Sequence, residues 1–520
     1  MKRVLFLIVG TLLVLGLVLP GCTGGTPPPE EVTYTFEDGE IVIGIAGEVG
    51  HATGDMQFLG ATLAAGAIND AGGVVIDGVA HNITLQMIDT QEASDETGAS
   101  GTAAMEAAID DVDVVFGGFR TEAVEVYREV AMDAEKLFFN CGAATEALQH
   151  SVVDDYDTYK YWFKVTPYNE HLLGSSVLRM IGFSAVKIRE ALNMSAGANL
   201  NAVIVAEDLK WSRDEQVPIL EAGLPGLNIT NLHTYLVSST DPASTQGALA
   251  DIAANYDPHI IIPIYSGTMG VYYSGTLLSI IGTGQLGPMS VGINVMEQLK
   301  QPWAAGLADP DPANGMYAAL HVFLDTWAEE VAITSKTLPF LAAFMTYASG
   351  EYPLYTAATY DAAFMLQACL EDVGYVEGGV GKAKADDIID WLEDPGNSME
   401  ITTGHSGVYP QPGTTVGGEP ALTEAQVKTI YDIDGYGYTY DENDWLMPPH
   451  TTHDIVYGPG LLTGVGCQWQ WDTSQWKKFG VWPAEVSGAD LVDQYGDWNF
   501  AYTGTKALIV PSWVIAHFGS

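Results

Sequence analysis

From Glu40 onward, short apolar runs alternate with segments whose apolar residues recur at helical spacing. Ile41 to Ala46 reads as a strand. Phe58 to Asn69 reads as a helix, stopped by Asn69-Asp70-Ala71-Gly72-Gly73. Ile83 to Ile88 is a second strand and Gly98 to Asp110 a second helix. The strand Val112 to Phe116 runs into Gly117-Gly118, the helix Thr121 to Ala134 follows, and then the strand Leu137 to Phe139. Strand–helix alternation with short connections predicts a mainly parallel sheet covered by helices on both faces. After Lys160 to Pro167 the rhythm restarts. It gives a helix over Leu172 to Leu192, the strand Ala202 to Ala206, a helix near Asp214 to Glu221 and the strand Asn228 to Leu236. A helix near Ala243 to Ala254, the strand His259 to Ile264 and the helix Met269 to Ile281 complete this second unit. Two α/β units predict two lobes with a cleft between them, and ligands at the C-terminal ends of the strands.

Farther on, Phe323 to Tyr347, Tyr360 to Leu370 and Lys384 to Leu392 have helical patterns. From Ile401 the chain becomes rich in Gly, Pro, Tyr and Trp, with strand-like runs at Val465 to Trp471 and Phe479 to Trp482. This stretch is expected to form a strand- and loop-rich extension on one lobe. The predicted division is 39–165 plus about 293–400 for lobe 1, and 166–292 plus about 401–520 for lobe 2, with an insertion at 408–449.

The N-terminus sets the expected compartment. Lys2 and Arg3 precede an apolar run from Val4 to Val18, which is short for a membrane span and ends in Leu19-Pro20-Gly21-Cys22. Small residues before a cysteine suit a lipoprotein signal over residues 1–22, with Cys22 lipidated and becoming the new N-terminus. An ordinary secretory signal with an incidental cysteine is the alternative. Residues 23–38, with Pro27-Pro28-Pro29, read as an extended tether. Sixty-six acidic against 20 basic residues give a formal charge of −46, which argues against nucleic acid and against a polybasic membrane surface. The acids are spread along the chain as a solvated skin of the kind that suits high salt. Besides Cys22 there are Cys141, Cys369 and Cys467, with no CxxC spacing, so a zinc knuckle is not indicated. One disulfide or three buried thiols remain open.

The turn Gly117-Gly118-Phe119-Arg120-Thr121-Glu122 is the first candidate for chemistry. Its glycines let backbone approach a ligand, and Thr121 with the helix start can hold a carboxylate, with Arg120 adding a cation. An ordinary tight turn capped by Thr121 is the plain reading. Asn140-Cys141-Gly142-Ala143-Ala144-Thr145 is a second such turn at the next strand end. Two adjacent strand ends with such turns make a better concave site than either does alone.

Three segments resemble the branched-chain amino-acid-binding protein family, the type I periplasmic solute-binding proteins of ABC importers. They are Gly54 to Ala61 leading into Ile68 to Gly73, Val114 to Gly118 with its Thr121 turn, and Phe138 to Thr145. Lys164-Val165-Thr166-Pro167 resembles the family's first crossover. Tyr360 to Ala363, His453-Asp454, Gly458-Pro459-Gly460 and Gln468-Trp469 resemble parts of its second half. The resemblance implies a two-lobed type I periplasmic-binding-protein fold that closes on a small ligand without catalysis, metal or cofactor. It implies that Thr121 and the turn Gly142, Ala143, Ala144 and Thr145 hold a ligand carboxylate, and that Trp211 covers the ligand. At the place of the acid that meets an α-amino group stands Asn294, which cannot balance a cation, and Arg120 tilts the expectation toward an anion. The implied partners are a small-molecule ligand, the permease and ATPase of an importer, and the membrane through a lipid anchor only. A sensory ectodomain and an extracellular hydrolase are the alternative functions.

Other constellations have plainer readings. His450-Thr451-Thr452-His453-Asp454 lacks the helical face of a zinc protease site. Trp469, Trp471, Trp476 and Trp482 alternate as core aromatics do. Gly404-His405-Ser406-Gly407 is not a nucleophile elbow. Glu207 and Asp208, successive at a strand end, point apart.

Overall fold

A computed structural model describes residues 33–36, 39–165, 169–300, 321–374, 382–394, 397, 399–406, 415–416, 419–420, 453–454, 464–472, 474–483 and 502–519. The signal segment, Cys22, most of the tether and nearly all of the 408–449 insertion lie outside these residues. So do Thr166-Pro167, His450 to Thr452, Gly407 and Gly458-Pro459-Gly460. Among the described residues no helix is long and apolar enough to cross a membrane.

The first sheet contains β1 (Glu40–Gly47), β2 (Val74–Ile76), β3 (Val79–Asp89), β4 (Val114–Gly117), β5 (Phe138–Asn140) and β6 (Trp162–Lys164). Their order is β2-β3-β1-β4-β5-β6; only the β2–β3 hairpin is antiparallel. Helices α1 (Ala52–Asp70), α2 (Ala99–Ala108) and α3 (Thr121–Asp133) connect these strands. Ile43, Ile45, Val115, Phe116, Phe138 and Phe139 are all buried in one core, so these strands are covered on both faces.

The second sheet follows α4 (Glu170–Ala191), with α5 (Val217–Gly223) between its first two strands. It holds β7 (Leu200–Glu207), β8 (Ile229–Val237), β9 (Ile260–Tyr265), β10 (Met289–Asn294) and β11 (His321–Asp325), all parallel. The hairpin β12 (Val465–Trp471) and β13 (Trp476–Trp482) is added antiparallel at one edge. The order is β13-β12-β11-β10-β9-β7-β8. On β7 the side chains alternate between two cores: Ala202, Ile204 and Ala206 face one, Val203 and Val205 the other. The opposed face is closed by α6 (Pro242–Asn255) and α7 (Met269–Gly282), whose Leu249, Ile252, Tyr273 and Leu277 fill the second of these cores.

Two sequence expectations change. The segment from Phe323 to Tyr347 is not one helix: β11 comes first, and α8 (Thr337–Tyr347) starts later. Five residues buried on both faces carry no periodicity that separates strand from helix. In consequence the return to the first lobe falls well after residue 293. β10, β11 and α8 pack in the second lobe, as do Tyr352 and Leu354, and the chain re-enters the first core with α9 (Thr359–Val373). Ile401 stays with the first core, whereas β12, β13 and the tail residues Leu508 and Val514 belong to the second. Cys141, Cys369 and Cys467 are free and buried, which decides between the two options left open for them.

Candidate functional site between the two sheets

The first wall of the site is framed by two glycine turns. β4 ends in Gly117 and Gly118, both at positive φ (116° and 80°). A Cβ on Gly117 would lie 2.2 Å from the Ala46 carbonyl, so a side chain is excluded by contact as well as by conformation. The chain then passes Phe119 and Arg120 and enters α3 at Thr121. Arg120 is the residue before the helix, with extended dihedral angles, and no side chain caps α3. The neighbouring turn at the end of β5 interlocks with this one: a Cβ on Gly142 would lie 2.0 Å from the Gly118 carbonyl.

Facing these turns is a wall of side chains from the second lobe. The cavity between them is lined on the first side by Phe119, Arg120, Thr121, Gly142 and Ala144. On the other side stand Leu173, Trp211, Ser266, Ile293, Val295, Gln298, Leu324, Asp325 and Thr326, and Tyr355 from the segment that leads back to α9. Five sequence-predicted residues, Arg120, Thr121, Gly142, Ala144 and Trp211, therefore meet in one place. Ala143, Thr145 and Asn294 do not line it. The Ala143 carbonyl accepts from the buried Lys164 ammonium. The Thr145 hydroxyl accepts from the Ala147 N–H at 3.3 Å and bears on Glu215. The Asn294 amide donates to the Gly270 carbonyl (3.1 Å) and to Ser274 Oγ (3.2 Å), within the first two turns of α7.

Several lining residues escaped the sequence reading. Ser266 follows β9 and Val295 follows β10, so the rule that ligands meet the C-terminal ends of parallel strands points to both. Leu324, Asp325 and Thr326 end β11, which was hidden by its helical assignment. Tyr355 sits in a short helical turn with no motif around it.

The electrostatics are dense and largely self-satisfied. Arg120 is buried, and its Nη1 donates to Glu96 Oε1 at 3.1 Å. Glu96 also accepts from Ser239 Oγ of the second lobe at 2.7 Å. Beneath the turn, Glu92 Oε2 accepts from the N–H groups of Phe119 (2.9 Å) and Arg120 (3.1 Å) and from the Tyr127 hydroxyl (2.9 Å). Burial pushes the Glu92 carboxyl up to about 7 in spite of these bonds. Across the gap, Glu207 accepts from Ser266 N–H (2.8 Å), Ser266 Oγ (2.7 Å) and Gly267 N–H (3.3 Å); burial raises its pKa and the Arg120 charge opposes the rise. Asp325 is paired with Lys478 of β13 and accepts from Thr326 N–H at 2.6 Å. Gln298 donates to the Leu324 carbonyl (3.1 Å) and accepts from Tyr355 N–H (3.2 Å). The lobes also touch through Lys210, whose N–H donates to Glu122 Oε1 at 2.5 Å and whose ammonium pairs with Glu125.

The remaining constellations have structural partners. His453 stacks on Phe163 (centroids 4.0 Å apart) and meets the Trp162 carbonyl at 2.8 Å and Glu393 at 2.6 Å. Among the described residues no His, Cys, Asp and Glu group has the arrangement of a metal site. Trp469, Trp476 and Trp482 are buried, and Trp469 Nε1 donates to the Glu297 carbonyl at 2.8 Å. Glu207 is buried while Asp208 is exposed and pairs with Arg213 at 2.6 Å.

The architecture is shared with solved structures. A putative branched-chain amino acid ABC transporter protein from Silicibacter pomeroyi matches at TM-score 0.57 and 16% identity, over 91% of this chain and 100% of that one. The branched-chain amino acid transporter substrate-binding protein of Streptococcus pneumoniae, solved with isoleucine, matches at 0.55 and 16% over 84% and 97%. A solute-binding protein of an ABC transporter from R. palustris, solved with 4-hydroxybenzoate, matches at 0.57 and 12% over 85% and 96%. These likenesses establish a two-lobed type I periplasmic-binding-protein fold. No family model and no curated protein matches the sequence.

Proposed function

We propose that this chain is a lipid-anchored, extracytoplasmic solute-binding protein that captures a small carboxylate-bearing solute by lobe closure and delivers it to an ABC importer. The solute is an amino acid of branched-chain type or a related organic acid or amide. Cys22 carries the anchor, and the permease and ATPase subunits of the importer are the partners. Arg120, Thr121, Gly142, Ala144 and Trp211 hold the ligand. The observation that carries this reading is the cavity to which both lobes contribute. A ligand touching both walls favours the closed state by the free energy of its second set of contacts, and binding drives closure on that account. The neighbours solved with isoleucine and with 4-hydroxybenzoate support a carboxylate as the common element of the solute.

The test is a thermal-shift screen of amino acids, small carboxylates, amides and sugars on the Cys22→Ser chain. A ligand at 100 times its Kd adds about 2.7 kcal/mol of stability by mass action. The double variant Arg120→Gln/Thr121→Val, still folded by circular dichroism, should lose most of that shift. An undiminished shift in the variant sinks the site assignment.

A further inference from the structure

Two polar atoms in the cavity wall have no protein partner among the described residues: Trp211 Nε1 and Thr326 Oγ1. Both residues are more than nine-tenths buried. An indole N–H can only donate, and a hydroxyl can donate or accept. A buried polar atom left without a partner is costly, so the complement of this pair is a ligand that brings acceptor oxygen.

Asp325, the one acid among the lining residues, is in contrast already engaged, as are Glu207 and Glu96 behind the lining. Glu207 accepts from three donors of the Ser266–Gly267 turn. Asp325 has the Lys478 ammonium and the Thr326 N–H. Glu96 holds Arg120 and Ser239. Asn294 is turned into α7 and offers the cavity nothing. An ammonium group placed here would face an indole N–H and a guanidinium, with no uncommitted carboxylate in the cavity lining to offset its desolvation; Glu92 Oε1, which has no partner among the described residues, belongs to a residue beneath the turn and outside the lining.

We infer that the site selects carboxylic acids whose second polar group is an oxygen, as in 2-hydroxy and 2-oxo acids, and discriminates against the α-amino acid of the same carbon skeleton. Phe119, Leu173, Ile293, Leu324 and Tyr355 supply an apolar surround for that skeleton. The inference rests on the proposal that the solute is a carboxylate, and it narrows which carboxylate.

The experiment is calorimetric titration of the Cys22→Ser chain with matched sets: L-valine, 2-hydroxyisovalerate and 2-oxoisovalerate, and alanine, lactate and pyruvate. The oxygen acids should bind at least about 100-fold more tightly than their amino counterparts, the desolvation cost of an unpaired ammonium being several decades in affinity. Trp211→Phe keeps the aromatic surface and should cost the oxygen acids about 10-fold, and Thr326→Val a similar factor. Amino acids binding as tightly as the oxygen acids, or more tightly, overturn the inference and leave the carboxylate reading standing. Binding of neither series, with a sugar or amide bound instead, overturns both. Oxygen-acid affinity unchanged in both variants removes Trp211 and Thr326 from the recognition.

Discussion

The two walls of the cavity are made of different material. In the first lobe, two glycine turns lie backbone against backbone, with Gly142 seated on the Gly118 carbonyl. In the second lobe, the surface is made of side chains at four strand ends or beyond, held by a buried polar lattice of Glu207, Ser266, Asp325, Lys478 and Gln298. A wall framed by close-packed glycine turns leaves room for few changes, and its side chains are confined to Phe119, Arg120, Thr121 and Ala144. A side-chain wall can be rewritten residue by residue. The contrast suggests a division of labour in which the first lobe holds what all ligands share and the second reads what distinguishes them.

Three changes break or sharpen this contrast. The largest effect is expected for Lys478→Met. Lys478 is buried, pairs with Asp325, donates to the Gln298 carbonyl at 3.1 Å and lies 4.9 Å from the centre of the Tyr352 ring. Removing one partner of a buried pair costs about 3–5 kcal/mol. Chemical denaturation should show that loss, together with a collapse of ligand affinity from the second wall. A loss under 1 kcal/mol would mean that the lattice does not hold the wall.

Next comes Gly142→Ala. One methyl group forced to 2.0 Å from the Gly118 carbonyl must push the two turns apart, at about 1–3 kcal/mol for overpacking. Affinity for every ligand should fall by a similar factor, because the shared wall is damaged. Selective loss for one ligand class would contradict the division of labour.

The smallest effect is a pH dependence. Burial raises Glu92 from 4.5 to about 7 in the folded protein. The folded state thus holds this proton more tightly than the unfolded chain does. Its contribution to stability is fully present below about pH 4.5 and is lost as pH rises through 7. Glu92→Gln keeps an acceptor oxygen for Phe119, Arg120 and Tyr127 and cannot ionise. Thermal unfolding at pH 8 should show the variant gaining a few degrees on the parent, with little difference at pH 4.5. Equal curves at both pH values would place the Glu92 carboxyl in a more solvated setting than the geometry shows.

Most of the order of strands and helices through α7 was legible, the three-residue strands β2 and β6 excepted, because the longer strands are flanked by helices of clear period and turns rich in glycine. Where a strand is five residues long and buried on both faces, as β11 is, the pattern has no polar phase to read, and the lobe boundary was misplaced with it. The same limit governed the site. Gly117, Gly118, Thr121 and Gly142 were readable because a tight strand-to-helix turn demands particular residue types locally. Ser266, Asp325, Thr326 and Tyr355 were not, because nothing near them in the chain requires what they do.

By itself, then, the sequence determined the alternating α/β rhythm, the acidic surface, the two glycine turns and the residues that open α3. These follow from interactions among neighbours in the chain. Only the tertiary structure decided that Asn294 turns into α7, that Arg120 meets Glu96, and that Lys478, separated from Asp325 by 153 positions, answers it. Those pairings depend on where two sheets and an edge hairpin come to rest, and burial makes an unanswered charge too costly to leave in place.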